Sequence, residues 1–133
     1  MKIDKTKLEG VYVINNFHFY DERGSFVKTF NKGQFENESI KFKIEETYFS
    51  ISHKDVIRGM HFQLPPYDHD KLVFVPKGAI MDVVLDLRKE SKTFKQFISV
   101  ELSAFNQKSI FIPKGCAHGF KTLVNDSITV YNV

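Results

Sequence analysis

Histidines at positions 61 and 118 sit in two short strings, VIRGMHFQ (56–63) and IPKGCAHGF (112–120). Both strings read as β-strand, and between them Lys71 stands in the strand-like DHDKLVFVPKG. Two imidazoles, an ammonium and the guanidinium of Arg58 are unusual company for the apolar residues around them. Burying charge without partners is costly, so such groups tend to face one another around a ligand. A neutral imidazole with a pKa near 6.5 suits general-base work at neutral pH. A lysine or arginine nearby would steady an enolate oxygen or a phosphate. Tyr131, in the terminal ITVYNV, adds a phenol able to return a proton from the opposite side. The set points to a polar pocket within a β-protein and to proton transfer on an anionic substrate. Each residue also has a plainer role: a hydrogen-bonded core histidine, lysine and arginine charges guarding a sheet edge, a tyrosine anchoring a chain end.

The elements that must carry these groups are short. Strands are predicted at 10–18, 42–52, 56–62, 71–76, 79–87, 96–103, 108–113 and 117–133, with a helix near 31–39. Turns are predicted at DERG (21–24), SHKD (52–55), LPPYDHD (64–70), the two PKG strings and SAFN (103–106). In IRGMHFQ, alternation puts residues 57, 59, 61 and 63 on one face and 58, 60 and 62 on the other. In 79–87, Ile80, Asp82, Val84 and Asp86 share a face. Many short strands at near-regular spacing predict an all-β sandwich or barrel. No composition shift marks a boundary, so residues 1–133 are expected to form one domain.

The bulk composition narrows the partners. The chain has 133 residues, 42% of them hydrophobic, with 14 Phe and no Trp, enough for a core. Its net charge of +3 comes from scattered lysines, not from the clustered charge of a nucleic-acid footprint. A mild positive surplus suits an anionic small molecule. Cys116 is the only cysteine, so no internal disulfide forms, as expected of a reducing compartment. The N-terminus has no apolar signal region, and no run reaches the roughly 18–20 apolar residues of a membrane span. A cytoplasmic protein is expected.

At these same strings the sequence resembles the dTDP-4-dehydrorhamnose 3,5-epimerase family, a branch of the cupins. The matching stretches are DERGSF (21–26), VIRGMHFQ, DHDKLVFVPKG, IMDVVLDLRKESKTF (80–94) and IPKGCAHGF, followed by Tyr131. They come in the family's order and cover most of the chain from residue 10 onward. The resemblance implies a cupin-type jelly-roll barrel, a homodimer and no cofactor. It implies inversion at C3, C5 or both of a nucleotide-diphosphate 4-keto-6-deoxy sugar, whose ketone acidifies the neighbouring hydrogens. On that pattern His61 removes the proton, Lys71 steadies the enolate oxygen and Tyr131 returns the proton. His118 and Arg58 hold sugar and phosphates, Arg23 meets the diphosphate, and Phe26, Glu46 and Gln63 complete the substrate contacts.

Metal catalysis fits less well. P-x-G-x-x-H at 113–118 is similar to the second cupin motif, but Lys71 stands where the first would offer its glutamate. A lysine repels a metal ion, and only Gln63 and His69 stand in as substitutes. Cys116 reads as a small buried residue rather than a nucleophile.

Three departures from the family pattern stand out. Lys28 replaces an acidic residue, and Glu46-Thr47-Tyr48 replaces Gln-x-Asn, both on the nucleotide side, so dTDP, GDP and CDP all remain open. The family's C-terminal aspartate, partner of the base histidine, has no match, and Asp82 is the substitute candidate. Two rivals accompany the epimerase reading: a sugar-nucleotide-binding relative without turnover, and a 3,4-ketoisomerase.

Overall fold

A computed structural model describes residues 1–133. Twelve strands and one short helix form two main sheets and a hairpin. The larger sheet joins β1 (Lys2–Lys5), β2 (Tyr12–Asn15), β10 (Lys108–Ile112), β7 (Lys71–Lys77), β12 (Ser127–Asn132) and β5 (Thr47–Ser52), in that order. The smaller sheet runs β6 (Ile57–His61), β11 (Cys116–Thr122), β8 (Ala79–Asp86) and β9 (Phe97–Ser103). β3 (Phe17–Asp21) and β4 (Gly24–Lys28) pair only with each other. Every pairing is antiparallel, so the predicted all-β class holds. No helix is long and apolar enough to cross a membrane.

The core lies between the two sheets. Val73, Val75, Ile110, Ile112 and Tyr131 from the larger sheet meet Ile80, Val84, Leu102, Cys116 and Phe120 from the smaller. Strand alternation sends the odd residues of β7 inward and Leu72 outward. Leu72 joins Ile14, Phe111 and Phe35 in a second cluster on the outer face of the larger sheet. Phe35 comes from α1 (Lys32–Asn37), capped by Asn31, whose Oδ1 accepts from the Gln34 amide at 3.0 Å. Phe30 stands edge-on to it and Phe42 stacks against it.

Several predicted boundaries move. The strand at 10–18 divides at Asn16, which leaves the sheet by donating to Ser109 Oγ at 2.6 Å. The chain then turns into the β3–β4 hairpin, closed by the predicted DERG turn. Of 42–52, only 47–52 is strand; the backbone of Glu45 and Glu46 bonds to Val133 instead. The segment 117–133 breaks at 123–126, where Ser127 Oγ donates to Val124 O at 2.6 Å. β1 was not predicted, because KIDK shows no apolar alternation; its charges sit at a sheet edge, where they discourage further pairing.

The string DLRKESKTF folds into one polar knot. The Asp86 carboxylate is fully buried and accepts from the Arg88 amide and guanidinium, Ser91 Oγ at 2.6 Å and Thr93 Oγ1 at 2.7 Å. Burial alone would raise its pKa, but these donors outweigh it and hold the carboxyl well below the usual range. A depressed carboxylate pKa stabilises the fold above the unfolded value of about 3.9 and stops doing so as pH falls through the folded value. Asp86→Ala is therefore expected to lose about 3 kcal/mol at pH 7 by stranding its donors. Urea melts should show the gap from wild type shrinking as pH drops below about 4.

Candidate active site

Parity on four strands gathers the charged residues between the sheets. Lys71 shares the inward face of β7 with Val73 and Val75 and is buried. Asp82 lies between Ile80 and Val84 on β8, His118 between Cys116 and Phe120 on β11, and both are fully buried. Tyr131 points inward from β12 and is 6% exposed. The edge-guard role for Lys71 is thus excluded: β7 is an interior strand flanked by β10 and β12.

His61 and Arg58 reach the same place by a break in alternation. His118 pairs with His61 and Phe120 with Arg58, so two residues of β11 span three of β6. Gly59 and Met60 together oppose Gly119, which is a β-bulge. Residues 58 and 61 consequently emerge on one face, and the strict alternation expected for IRGMHFQ does not hold. Gly59 takes φ +99°. A Cβ there would lie 2.6 Å from the His118 carbonyl oxygen and 2.7 Å from Gly119 Cα. Only glycine fits this crossing.

The result is an open cavity of about 490 Å³, lined by Tyr48, Phe49, Ser50, Ile57, Arg58, Gly59, His61 and Tyr131. His118 lies beneath it, its ring centre 6.3 Å from those of both His61 and Tyr131. The Tyr131 hydroxyl is 3.1 Å from Ser50 Oγ. Arg58 donates from Nε to Ser52 Oγ at 2.9 Å, tying edge strand β6 to edge strand β5.

The electrostatics follow from this packing. Burial, then the charges of Lys71 and His118, hold the His61 pKa below its ordinary value. That shift favours the neutral imidazole, the form that general-base work requires. Burial pulls the Lys71 ammonium below 10.5, and the Asp82 carboxylate opposes that fall. Burial pushes the Tyr131 phenol above 10, opposed by the Ser50 hydrogen bond and by Arg58. His118 Nε2 lies 2.6 Å from Asp82 Oδ2, leaving Nδ1 as its one free ring nitrogen. Asp82 therefore pairs with His118 and not with His61.

The remaining predicted residues lie apart. Gln63 borders a different cavity, with Arg88 and Lys114. Glu46 bonds through its backbone to Val133, two residues before Tyr48, and its charge raises the Tyr48 pKa after burial does. Arg23 and Phe26 stand on the exposed hairpin, and Arg23 is ion-paired to Asp21 at 2.5 Å. Cys116 is a core residue whose thiol burial pushes up to about 11, so it is no nucleophile at neutral pH. His69 Nδ1 lies 3.0 Å from the Tyr67 carbonyl. No three His, Cys, Asp or Glu side chains converge. Ser50, Ser52 and Asp82 take partners that strand parity alone could not assign.

Fold and site together define an antiparallel two-sheet protein whose open cavity is lined by an imidazole, a guanidinium and a phenol, with the charge of the buried Lys71 ammonium felt at His61. The family model for dTDP-4-dehydrorhamnose 3,5-epimerase matches residues 5–133. The chain is 41% identical to the Shigella flexneri enzyme of that name, covering 98% of this chain and 73% of that one. It is 40% identical to the Methanothermobacter thermautotrophicus enzyme, covering 96% and 68%. The crystal structure of the Bacillus anthracis epimerase with TDP and PPi bound superposes with a TM-score of 0.93 at 39% identity, over 98% of this chain and 75% of that one. A Legionella pneumophila epimerase in complex with dTDP-4-keto-L-rhamnose gives 0.92 at 36%, over 98% and 70%. This chain belongs to the dTDP-4-dehydrorhamnose 3,5-epimerase family.

The bulge supplies a direct test of the geometry. Gly59→Ala is expected to cost about 2 kcal/mol, through left-handed strain and the clash with β11. Its urea midpoint should fall, and ligand affinity at the Arg58–His61 face should fall with it.

Proposed function

We propose that this chain epimerises a dTDP-linked 4-keto-6-deoxy sugar at C3, C5 or both, in the cytoplasmic supply of sugars for surface polysaccharide. The observation that carries the proposal is that His61 and Tyr131 line one cavity, with the charge of buried Lys71 felt at His61, in a member of this family. Relatives bearing TDP or dTDP-4-keto-L-rhamnose favour thymidine over the GDP and CDP alternatives. We read the two stacked sheets as a jelly roll.

The chemistry starts at a carbon next to the C4 ketone. Neutral His61 takes the hydrogen from that carbon, and the electron pair moves into an enolate. Charge builds on the former carbonyl oxygen, where the Lys71 ammonium opposes it. Tyr131 gives its phenolic proton to the carbon from the other face as the ketone re-forms. Solvent then reprotonates the phenolate and takes the proton held by His61. No cofactor enters this scheme. Arg58, pinned by Ser52 and by the Ile51 carbonyl, presents its remaining N–H groups to the diphosphate.

Arg23 and Phe26 fit this reading only through a second copy, because their hairpin stands clear of the cavity. Phe17, Phe19, Tyr20 and Phe26 are all more than half exposed there, which suits a homodimer contact. Light scattering of the wild type should give twice the chain mass, and Phe19→Ser with Phe26→Ser should shift it toward the monomer. A wild type that is monomeric at all concentrations would remove the dimer.

Proton NMR of dTDP-4-keto-6-deoxyglucose in deuterium oxide tests the reaction. Deuterium should enter C3, C5 or both with wild type, and His61→Asn should slow entry by at least about 100-fold. The low pKa of His61 keeps the base unprotonated below pH 6.5, so the acid limb of kcat/KM should fall below 6.5. On the alkaline side, loss of the Lys71 proton should cut activity before pH 10.5. Tight binding with no deuterium entry would favour the non-catalytic relative; a ketone moved to C3 would favour the isomerase.

A further inference from the structure

Tyr48 faces Tyr131 directly across the β5–β12 pair. The rings stack with centroids 5.0 Å apart and planes 22° from parallel. Ser50, two residues along the same strand, meets the Tyr131 hydroxyl at 3.1 Å. His118 presses edge-on from below, with its ring plane at 73° to that of Tyr131. The phenol of Tyr131 is thus fixed at its oxygen by Ser50, at one edge by His118 and over one ring face by Tyr48. The exposures show what this stack does. Tyr48 is 43% exposed and Tyr131 only 6%, so Tyr48 stands between Tyr131 and solvent along the cavity wall. Removing the outer ring of such a pair frees the inner one to rotate and lets water reach it.

We propose that Tyr48 is a positioning residue for Tyr131: its ring holds the phenol aimed into the cavity and keeps water off it, so that the proton goes to carbon on the far face. The inference rests on the reading of His61 as base and Tyr131 as acid. In the step at issue the Tyr131 O–H bond breaks and a C–H bond forms on the enolate carbon. The enolate electrons supply that bond, the ketone returns, and the phenolate recovers a proton from water. A phenol turned away or flooded with water leaves the enolate to be reprotonated on its original face by the His61 imidazolium, once that has exchanged its proton with solvent. Exchange then outlasts inversion. That division separates Tyr48 from a residue that merely braces the fold, which would lower both together. The Tyr48 hydroxyl plays no part in the stacking, so phenylalanine should serve in its place.

The test compares wild type, Tyr48→Phe and Tyr48→Ala on dTDP-4-keto-6-deoxyglucose in deuterium oxide, scoring inverted product against deuterated but uninverted sugar. Tyr48→Ala is expected to lower that ratio about tenfold through kcat, with KM within about twofold, and Tyr48→Phe to restore it. An unchanged ratio in Tyr48→Ala, or an equal loss in Tyr48→Phe, overturns the proposal. A second arm needs no turnover. Carbon-13 NMR of ring-labelled tyrosine follows the Tyr131 titration in the ligand-free protein. In Tyr48→Ala the midpoint should fall toward the ordinary value near 10 as water reaches the phenol, while Tyr48→Phe, which removes only the lesser contribution of the Tyr48 charge, should lower it much less. A Tyr131 midpoint that does not move in Tyr48→Ala overturns the shielding on which the proposal depends. Failure of wild type to exchange any hydrogen would sink the epimerase reading instead, and this second arm would still decide the role of Tyr48.

Discussion

The pairing of β6 with β11 governs everything the cavity can do. These are two antiparallel neighbours of the smaller sheet, and a regular ladder between them would send Arg58 and His61 to opposite faces. One extra residue in β6 prevents that. The backbone can absorb it because Gly59 and Gly119 cross where neither can carry a side chain. The bulge thus turns an ordinary edge strand into a platform presenting an imidazole and a guanidinium side by side. It sits against His118, so the same crossing sets the distance from the base to the buried polar interior. Bulges at sheet edges commonly re-aim side chains in this way.

Charge burial sets the second constraint. Between the sheets, Lys71, Asp82 and His118 are withdrawn from water among aliphatic side chains. None could be there alone without a large desolvation cost. Asp82 answers it by sitting 2.6 Å from His118 Nε2 and by lending its charge to Lys71. That leaves Lys71 with no hydrogen-bonded partner of its own, a cation supported by a nearby carboxylate but not neutralised by contact. Such a group is suited to meet a developing oxyanion, since no existing bond has to break first. The positive surroundings also keep protons off His61. One cluster therefore produces both the electrophilic and the basic character of the site.

Much of this was legible in the residues, and what was not has definite physical causes. Alternation in 79–87 correctly placed Asp82 and Asp86 inside, because β8 is a regular strand covered on its inner face. The strings around His61, Lys71, His118 and Tyr131 pointed to one polar site; His61, His118 and Tyr131 lie together there, and the charge of Lys71 is felt at His61. Alternation failed at Arg58, since a bulge changes the count by one and leaves no mark in apolar periodicity. It failed also for the partner of Asp82, which depends on which strands become neighbours: β8 lies beside β11, and that pairing joins residues 36 apart in sequence. The hairpin was hidden because Phe17, Phe19 and Phe26 resemble core residues, yet they lie outside both cores. The strand at 10–18 looked continuous for the same reason. Asn16 ends it through a side-chain bond to Ser109, 93 residues further along the chain.

The position of the cavity follows from how the sheets end. β5 closes one edge of the larger sheet and β6 one edge of the smaller, and the two are consecutive in the chain. A short turn joins them, and Arg58 reaches back across to Ser52 and the Ile51 carbonyl. The two edges therefore diverge from a pinned corner. Their inner residues line a wedge with buried charge at its base and exposed Phe49 and Ile57 at its rim. Such a wedge excludes water at depth while remaining open to a large anionic ligand at the mouth. On the epimerase reading proposed above, proton transfer would fall at the narrow end, where Lys71, His118 and Tyr131 are buried. On the same reading, phosphates would be met at the wide end, where the Arg58 guanidinium is exposed and screened. The proposed function would thus separate chemistry from capture along a single axis, from the interior of the sandwich to its open edge.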